Sequence, residues 1–406
     1  MKRRILSSLM ALVLVFGLLP ATVFAAGGAG TAVYVRSDGS DSNAGTQNEP
    51  YATLAKAVYM AKDGATIYVM SDLTMTKCAR YYDKDLTITS LGDATCTITR
   101  GDNFAQQQDN ARSTYNPAMI EVQTHTGGKG ASLTLMNIIL DDAGKHEGTV
   151  FAQAVSDGSI DNKTCVQDAI IASNATVPST ITLGKGAVLR NFGGMSAVRA
   201  TGEAKLVMEP GSVIEDDSAV ITTRGSDADE TNAAKGPAGA VWLQGSDFEM
   251  KSGAEIKNVN GRAVYADGGE VTIGGTISGI TGNPAMWQNY KKGKNLIICG
   301  TAIHLRGSAK ATLNGKISDC TEGVLVFVDK AVFEMATGSF LGNSDAAGIK
   351  TNEDPNWSLV NKDDYGTNRN TITIHGEISG IKNNKTPIQF KYGTLLIGAD
   401  GNIHNN

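Results

Sequence analysis

The sequence predicts an all-β solenoid, a parallel β-helix with roughly 22–25 residues per coil, and three observations carry that prediction. The first is a phrase that recurs along the second half of the chain: KLVMEPGSVI, FEMKSGAEI, VTIGGTI, ATLNGKI, VFEMATGSF, TITIHGEI and LLIGADGNI. Its glycines (Gly211, Gly253, Gly275, Gly315, Gly338, Gly376 and Gly401) lie 42, 22, 40, 23, 38 and 25 residues apart. A unit of 22–25 residues therefore repeats, and every second unit carries an insertion of about 15 more; such a period marks a solenoid. The second is the period inside each unit. Apolar residues alternate in short runs instead of recurring every 3.6 residues, which argues against helical repeats. The third is a second strand beside each phrase, read in AVWLQG, AVYADG, AIHLRG and VLVFVD.

Two or three short strands turned by Gly, Asn and Asp describe one coil. Val207, Ile256, Ile273 and Leu313 are expected to stack inward, with Lys205, Glu249, Thr272 and Thr312 facing solvent. The recurring glycines suit corners that need positive φ. Weaker versions of the pattern appear upstream in LTITSLGDATCTI, SLTLMNIIL and ITLGKGAVL. Roughly eleven coils follow, a rod of about 50 Å at one strand spacing per coil.

The first residues set the compartment. Lys2, Arg3 and Arg4 precede an apolar run from Ile5 to Leu19, then Pro20 and the small residues ATVFAA. This reads as a secretory signal peptide over residues 1–25, too short in its apolar core to span a bilayer well, so a secreted or cell-surface protein is expected. No membrane span is expected after cleavage. Without the three leader cations the net charge falls from −5 to −8, which argues against nucleic acid as a partner. The five cysteines (Cys78, Cys96, Cys165, Cys299 and Cys320) have no metal-like spacing. Cys299 and Cys320 lie about one repeat apart, either as buried thiols in a stack or as a bridge between neighbouring coils.

Residues 26–70 read differently, as a cap on the open end of the solenoid. A short strand meets a polar turn cluster, Thr53 N-caps a helix of about nine residues, and another strand follows Gly64. The residues Tyr34, Val35, Gly39, Ser40, Asp41, Asn43, Gly45, Thr46, Pro50, Tyr51, Thr53, Leu54, Ala57, Val58, Gly64, Thr66, Ile67, Tyr68 and Val69 spell a pattern over about a tenth of the chain. It resembles the opening segment of right-handed parallel β-helix proteins of the pectate-lyase-like superfamily. The glycine-rich coils over 71–406 look like those of exported bacterial surface and adhesin-like proteins. The resemblance implies a right-handed coil. If the chain were a lyase of that superfamily it would imply Ca²⁺ held by an acidic cluster with a Lys or Arg base; a hydrolase relative would use two or three aspartates.

The best carboxylate candidates are Asp141 and Asp142, but neighbours on a strand point to opposite faces, so a strand end and turn is the competing reading. Asp38, Asp41 and Asn43 offer oxygens in one tight loop that would suit Ca²⁺. Aspartates in such turns also cap their own backbone. No other cofactor is expected. The insertions, read as loops at about 224–238, 288–300 and 353–370, are expected to emerge along one side of the rod. Trp287, Tyr290, Lys291, Lys292, Trp357 and Tyr365 in or beside them suit the faces of sugar rings, or else pack under their own loops.

The expected function is therefore that of a non-catalytic surface module binding a polysaccharide or a surface or matrix glycoprotein. A polysaccharide lyase or glycoside hydrolase acting on pectin-like polymers is the alternative, and a structural stalk is a third. The chain stops in mid-coil at LLIGADGNIHNN, which is expected of a piece of a longer surface protein.

Overall fold

The computed structural model describes residues 32–105, 118–125, 127–143, 168–192, 196–217, 239–282, 300–351, 370–391 and 393–406. The chain winds into a right-handed parallel β-helix with three faces, and among the described residues its strands pair in parallel with the coils before and after. One coil reads Asp247–Met250 on face one, Glu255–Lys257 on face two and Arg262–Asp267 on face three; the next opens with Glu270–Ile273 back on face one. Ten such coils and a two-strand eleventh run from Thr66–Val69 to Asn402–His404. Among the described residues no helix is long and apolar enough to cross a membrane.

The alternation builds the core because strands one spacing apart bring like positions into a column. Face one stacks Ile67, Ile88, Leu135, Leu183, Met208, Met250, Ile273, Leu313, Met335 and Ile374 in one inward column. Face two stacks Ile98, Leu140, Leu189, Ile214, Ile256, Ile277, Ile317, Leu341 and Ile378. Every one of these side chains is fully buried. Val207 is a correction to the expected inward set. It stands in the outward column between Thr182 and Glu249, while Leu206 and Met208 point inward. Three apolar residues in a row hid the phase there.

The recurring glycine serves two purposes. Gly211 and Gly253 do take positive φ, +80° and +87°, and bond to each other through backbone across coils at 2.8 Å. Gly275 and Gly315 do not need it; a Cβ on Gly315 would instead collide with the Gly275 carbonyl below.

The first strand, Ala32–Val35, pairs with Thr66–Val69 and begins the stack. Helix α1 (Leu54–Met60) lays Leu54, Ala57 and Val58 over that end of the core, and the Lys56 N–H donates to the Thr53 hydroxyl at the N-cap. It runs seven residues where about nine were expected, ending at Met60.

Candidate functional site

The three faces are not equivalent. Connections from face one to face two take one to five residues in every coil, from Met136 to Ile138 at the short end to Ser90 to Cys96 at the long end. All the long connections have a face-three strand at one end. Residues 106–117, 144–167, 218–238 and 283–299 each join a face-two strand to a face-three strand, and 352–369 joins face three to face one. The sequence-predicted loops lie outside the described residues except for Gly300 and Asn370, as do Trp287, Tyr290, Lys291, Lys292, Trp357 and Tyr365. The strands flanking the first two loops are at one corner and those flanking the third at the other. That separates three sites expected to be equivalent, but all of them border one face. The glycine phrase marks only the corner between faces one and two, so it carries no information on where a later insertion leaves.

Face three also carries an unusual outer surface. Its strands Val241–Gln244, Arg262–Asp267, Thr301–Arg306 and Thr321–Asp329 bring Trp242, Tyr265, His304 and Phe327 into one outward column on consecutive coils. These rings are 9, 2, 4 and 5% exposed although they project away from the core. His304 meets Tyr265 and Phe327 edge-on, with centroids 5.2 and 4.9 Å away. Arg199 lies over the Trp242 ring at 5.0 Å and Arg262 over the Tyr265 ring at 5.1 Å. Burial, then the Arg262 and Arg306 guanidinium groups, hold the His304 pKa well below its ordinary value, so the imidazole is neutral.

Two residues further along each strand is a second outward column: Gln244, Asp267, Arg306 and Asp329. These side chains are more open. The Arg306 side chain is 24% exposed and that of Asp329 13%, with Nε and Oδ2 3.9 Å apart. Arg306 also hydrogen-bonds the Tyr265 hydroxyl, and Asp267 acts on both electrostatically. Burial raises the Tyr265 pKa, with the two arginines opposing it, so the phenol stays a neutral partner. The result is a buried aromatic wall beside a half-open row of acid, base and acid on three successive coils. Chemically, such a row can hydrogen-bond hydroxyls and exchange protons with a bound molecule.

None of these residues stood among the sequence-predicted site residues. Their signal was nonetheless present: AVWLQG, AVYADG, AIHLRG and VLVFVD carry Trp, Tyr, His or Phe at one place and Gln, Asp, Arg or Asp two places on.

The sequence-predicted acids lie elsewhere, at the end of a face-two strand, Ile138–Asp141. Asp141 points outward and accepts from the Ala143 N–H at 2.7 Å, Asn191 Nδ2 at 2.9 Å and Arg190 Nε at 2.7 Å. Burial works against its charge, but the Asn191, backbone and Arg190 contacts hold its pKa below the usual range. Asp142 is fully buried and ion-paired to the buried Arg100. The two carboxyls therefore diverge, as the strand geometry requires.

Asp38, Asp41 and Asn43 do not converge either. Asp41 Oδ1 accepts from the Ala52 and Thr53 N–H groups at 3.1 and 3.0 Å, and Oδ2 from the Thr53 hydroxyl at 2.8 Å. Asn43 Nδ2 donates to the Pro50 carbonyl at 2.9 Å, and Asp38 pairs with Arg36. The pattern of the opening segment thus has a structural cause: Asp41 and Asn43 tie the turn to the start of α1. Among the described residues no group of three His, Cys, Asp or Glu could hold a metal ion. Cys320 is a buried free thiol, its pKa pushed up to about 12 by burial, and Cys299 lies outside the described residues.

No family model matches the chain, and no curated protein matches it in sequence. Among solved structures it is similar to a GH136 lacto-N-biosidase from Eubacterium ramulus. The TM-score is 0.54 at 11% identity, over 92% of this chain and 68% of that one. A selenomethionine derivative of the same enzyme gives 0.52 at 10%, over 93 and 68%. A rhamnogalacturonan lyase, at 12% identity over 92 and 86% of the two chains, reaches a TM-score of only 0.28, which carries no argument. At such identities the likeness shows a shared β-helix fold.

Proposed function

We propose that this chain is a carbohydrate-active β-helix that seats a glycan against the outer surface of face three and cleaves a glycosidic bond there. The observation that carries the reading is the Asp267–Arg306–Asp329 row on the face that all the long connections border. The two carboxylates stand two strand spacings apart, about 10 Å at the backbone. Inverting glycosidases hold their carboxyl groups roughly 6.5–9.5 Å apart, one as general acid and one as base for a water. Asp267 and Asp329 are the candidates for those roles. Arg306, whose Nε lies 3.9 Å from Asp329 Oδ2, would orient that carboxylate. The fold shared with a lacto-N-biosidase supports glycan chemistry over a purely structural stalk. Kinship with the pectate-lyase-like superfamily is part of this proposal, as is export, which rests on the leader. Trp287, Tyr290, Trp357 and Tyr365, in the sequence segments that connect to face three, would be the sugar-stacking residues.

The position of Arg306 also favours a second reading, in which the row binds sugar hydroxyls without turnover. A panel of oligosaccharides, read for new reducing ends and for binding, separates the two. Cleavage abolished by Asp329→Asn and Asp267→Asn establishes the hydrolase. Binding without cleavage establishes the module, and neither binding nor cleavage sinks both.

A further inference from the structure

One corner of the core contains an acid where its neighbours are apolar. Phe192, Asp217, Val259, Ile280 and Cys320 occupy the same place in successive coils, just after a left-handed residue that turns face two toward face three. Asp217 is 2% exposed. Its Oδ1 accepts the Phe192 N–H of the coil before at 3.0 Å, and among the described residues Oδ2 has no hydrogen-bond partner. Ser344 does the same service for Cys320, whose N–H donates to the hydroxyl at 3.1 Å. The corner therefore needs only a neutral oxygen. An aspartate adds a proton to it, at the last described residue before 218–238 leave for face three.

We infer that Asp217 is a proton-held latch at that corner: as a neutral acid it closes coil four onto coil five, and on ionisation it lets them part beneath the connection to face three. The groups around it oppose a charge. Asp142, itself paired with Arg100, acts on it electrostatically, as do Asp216 and Glu215 just before it in the chain, and Lys257 pairs with Glu215 at 3.4 Å and with Glu255 at 3.1 Å. Burial first, then those three carboxylates, raise the Asp217 pKa well above its ordinary value against the pull of the Phe192 N–H. The sign follows. The unfolded side chain releases its proton near about 3.9, while the folded one keeps it. The latch's contribution to stability is fully present below that pH. Stability then falls as pH rises toward the folded pKa, by up to about tenfold in the unfolding equilibrium per pH unit.

Asp217→Asn keeps the accepting oxygen and removes the proton, so it should flatten this slope and be the more stable form at alkaline pH. Asp217→Leu orphans the Phe192 N–H and should be less stable than Asp217→Asn by the same margin at every pH. Parallel pH profiles for the wild type and Asp217→Asn would overturn the latch. Should the variants not fold, hydrogen exchange in the wild type decides. After correction for intrinsic rates, protection of the Phe192 and Asn260 amides should fall from pH 5 to 9. Constant protection overturns the proposal.

Discussion

Faces one and two differ from face three in what their strands ask of the chain. On the first two faces each coil repeats the last: inward apolar columns, short turns, and outward ion pairs such as Lys205–Glu249 at 2.8 Å and Lys251–Glu209 at 2.7 Å. On face three one outward column is nearly as buried as the inward side, and it collects Trp242, Tyr265, His304 and Phe327. The lesson is a division of labour. Two faces supply a rigid ladder whose geometry tolerates no variation, and the third is free to vary because the ladder holds its strands in place.

The sharpest way to break this division is at the candidate acids. Asp329→Asn should lower any glycan cleavage by about 10²–10⁴-fold, the usual worth of a general acid or base. Its thermal midpoint should barely move. Loss of folding in step with activity would make Asp329 part of the scaffold instead. The converse experiment is Ile277→Ala in the face-two column, which should cost about 2–5 kcal/mol in denaturant unfolding through the cavity it leaves. Glycan affinity per folded molecule should survive it.

Between these lies Asp41→Ala, which strands the Ala52 and Thr53 N–H groups at the start of α1. About 1–3 kcal/mol is expected, read as a local rise in hydrogen exchange over residues 52–60. Calcium should restore none of it if the role is capping alone. The smallest effect is expected at Lys205→Ala, an exposed pair worth at most about 1 kcal/mol and less in high salt. A larger loss there would show that the outer surface of face one does more than dissolve the rod.

How much of this was legible before the fold depends on whether a residue repeats. The columns through Ile256, Ile273 and Leu313 could be read directly, because an alternating pattern recurring at a constant period has one economical solution. The capping turn was legible as a pattern, but the work of Asp41 and Asn43 was not, since hydrogen bonds to Ala52, Thr53 and Pro50 mimic ligand spacing in sequence. Asp267, Arg306 and Asp329 were visible as equivalent places in three phrases. They escaped notice because each alone is an ordinary polar strand end.

By itself, then, the sequence determined the solenoid, the size of its coil and the residues of its core. Burying an alternating apolar set at that period leaves the backbone little choice. The tertiary structure alone decided which corner each insertion leaves from, which way Asp141 and Asp142 diverge, and which outward side chains become neighbours. Those depend on register between strands dozens of residues apart. Stacking at one strand spacing turns Asp267, Arg306 and Asp329, distant in sequence, into a single row.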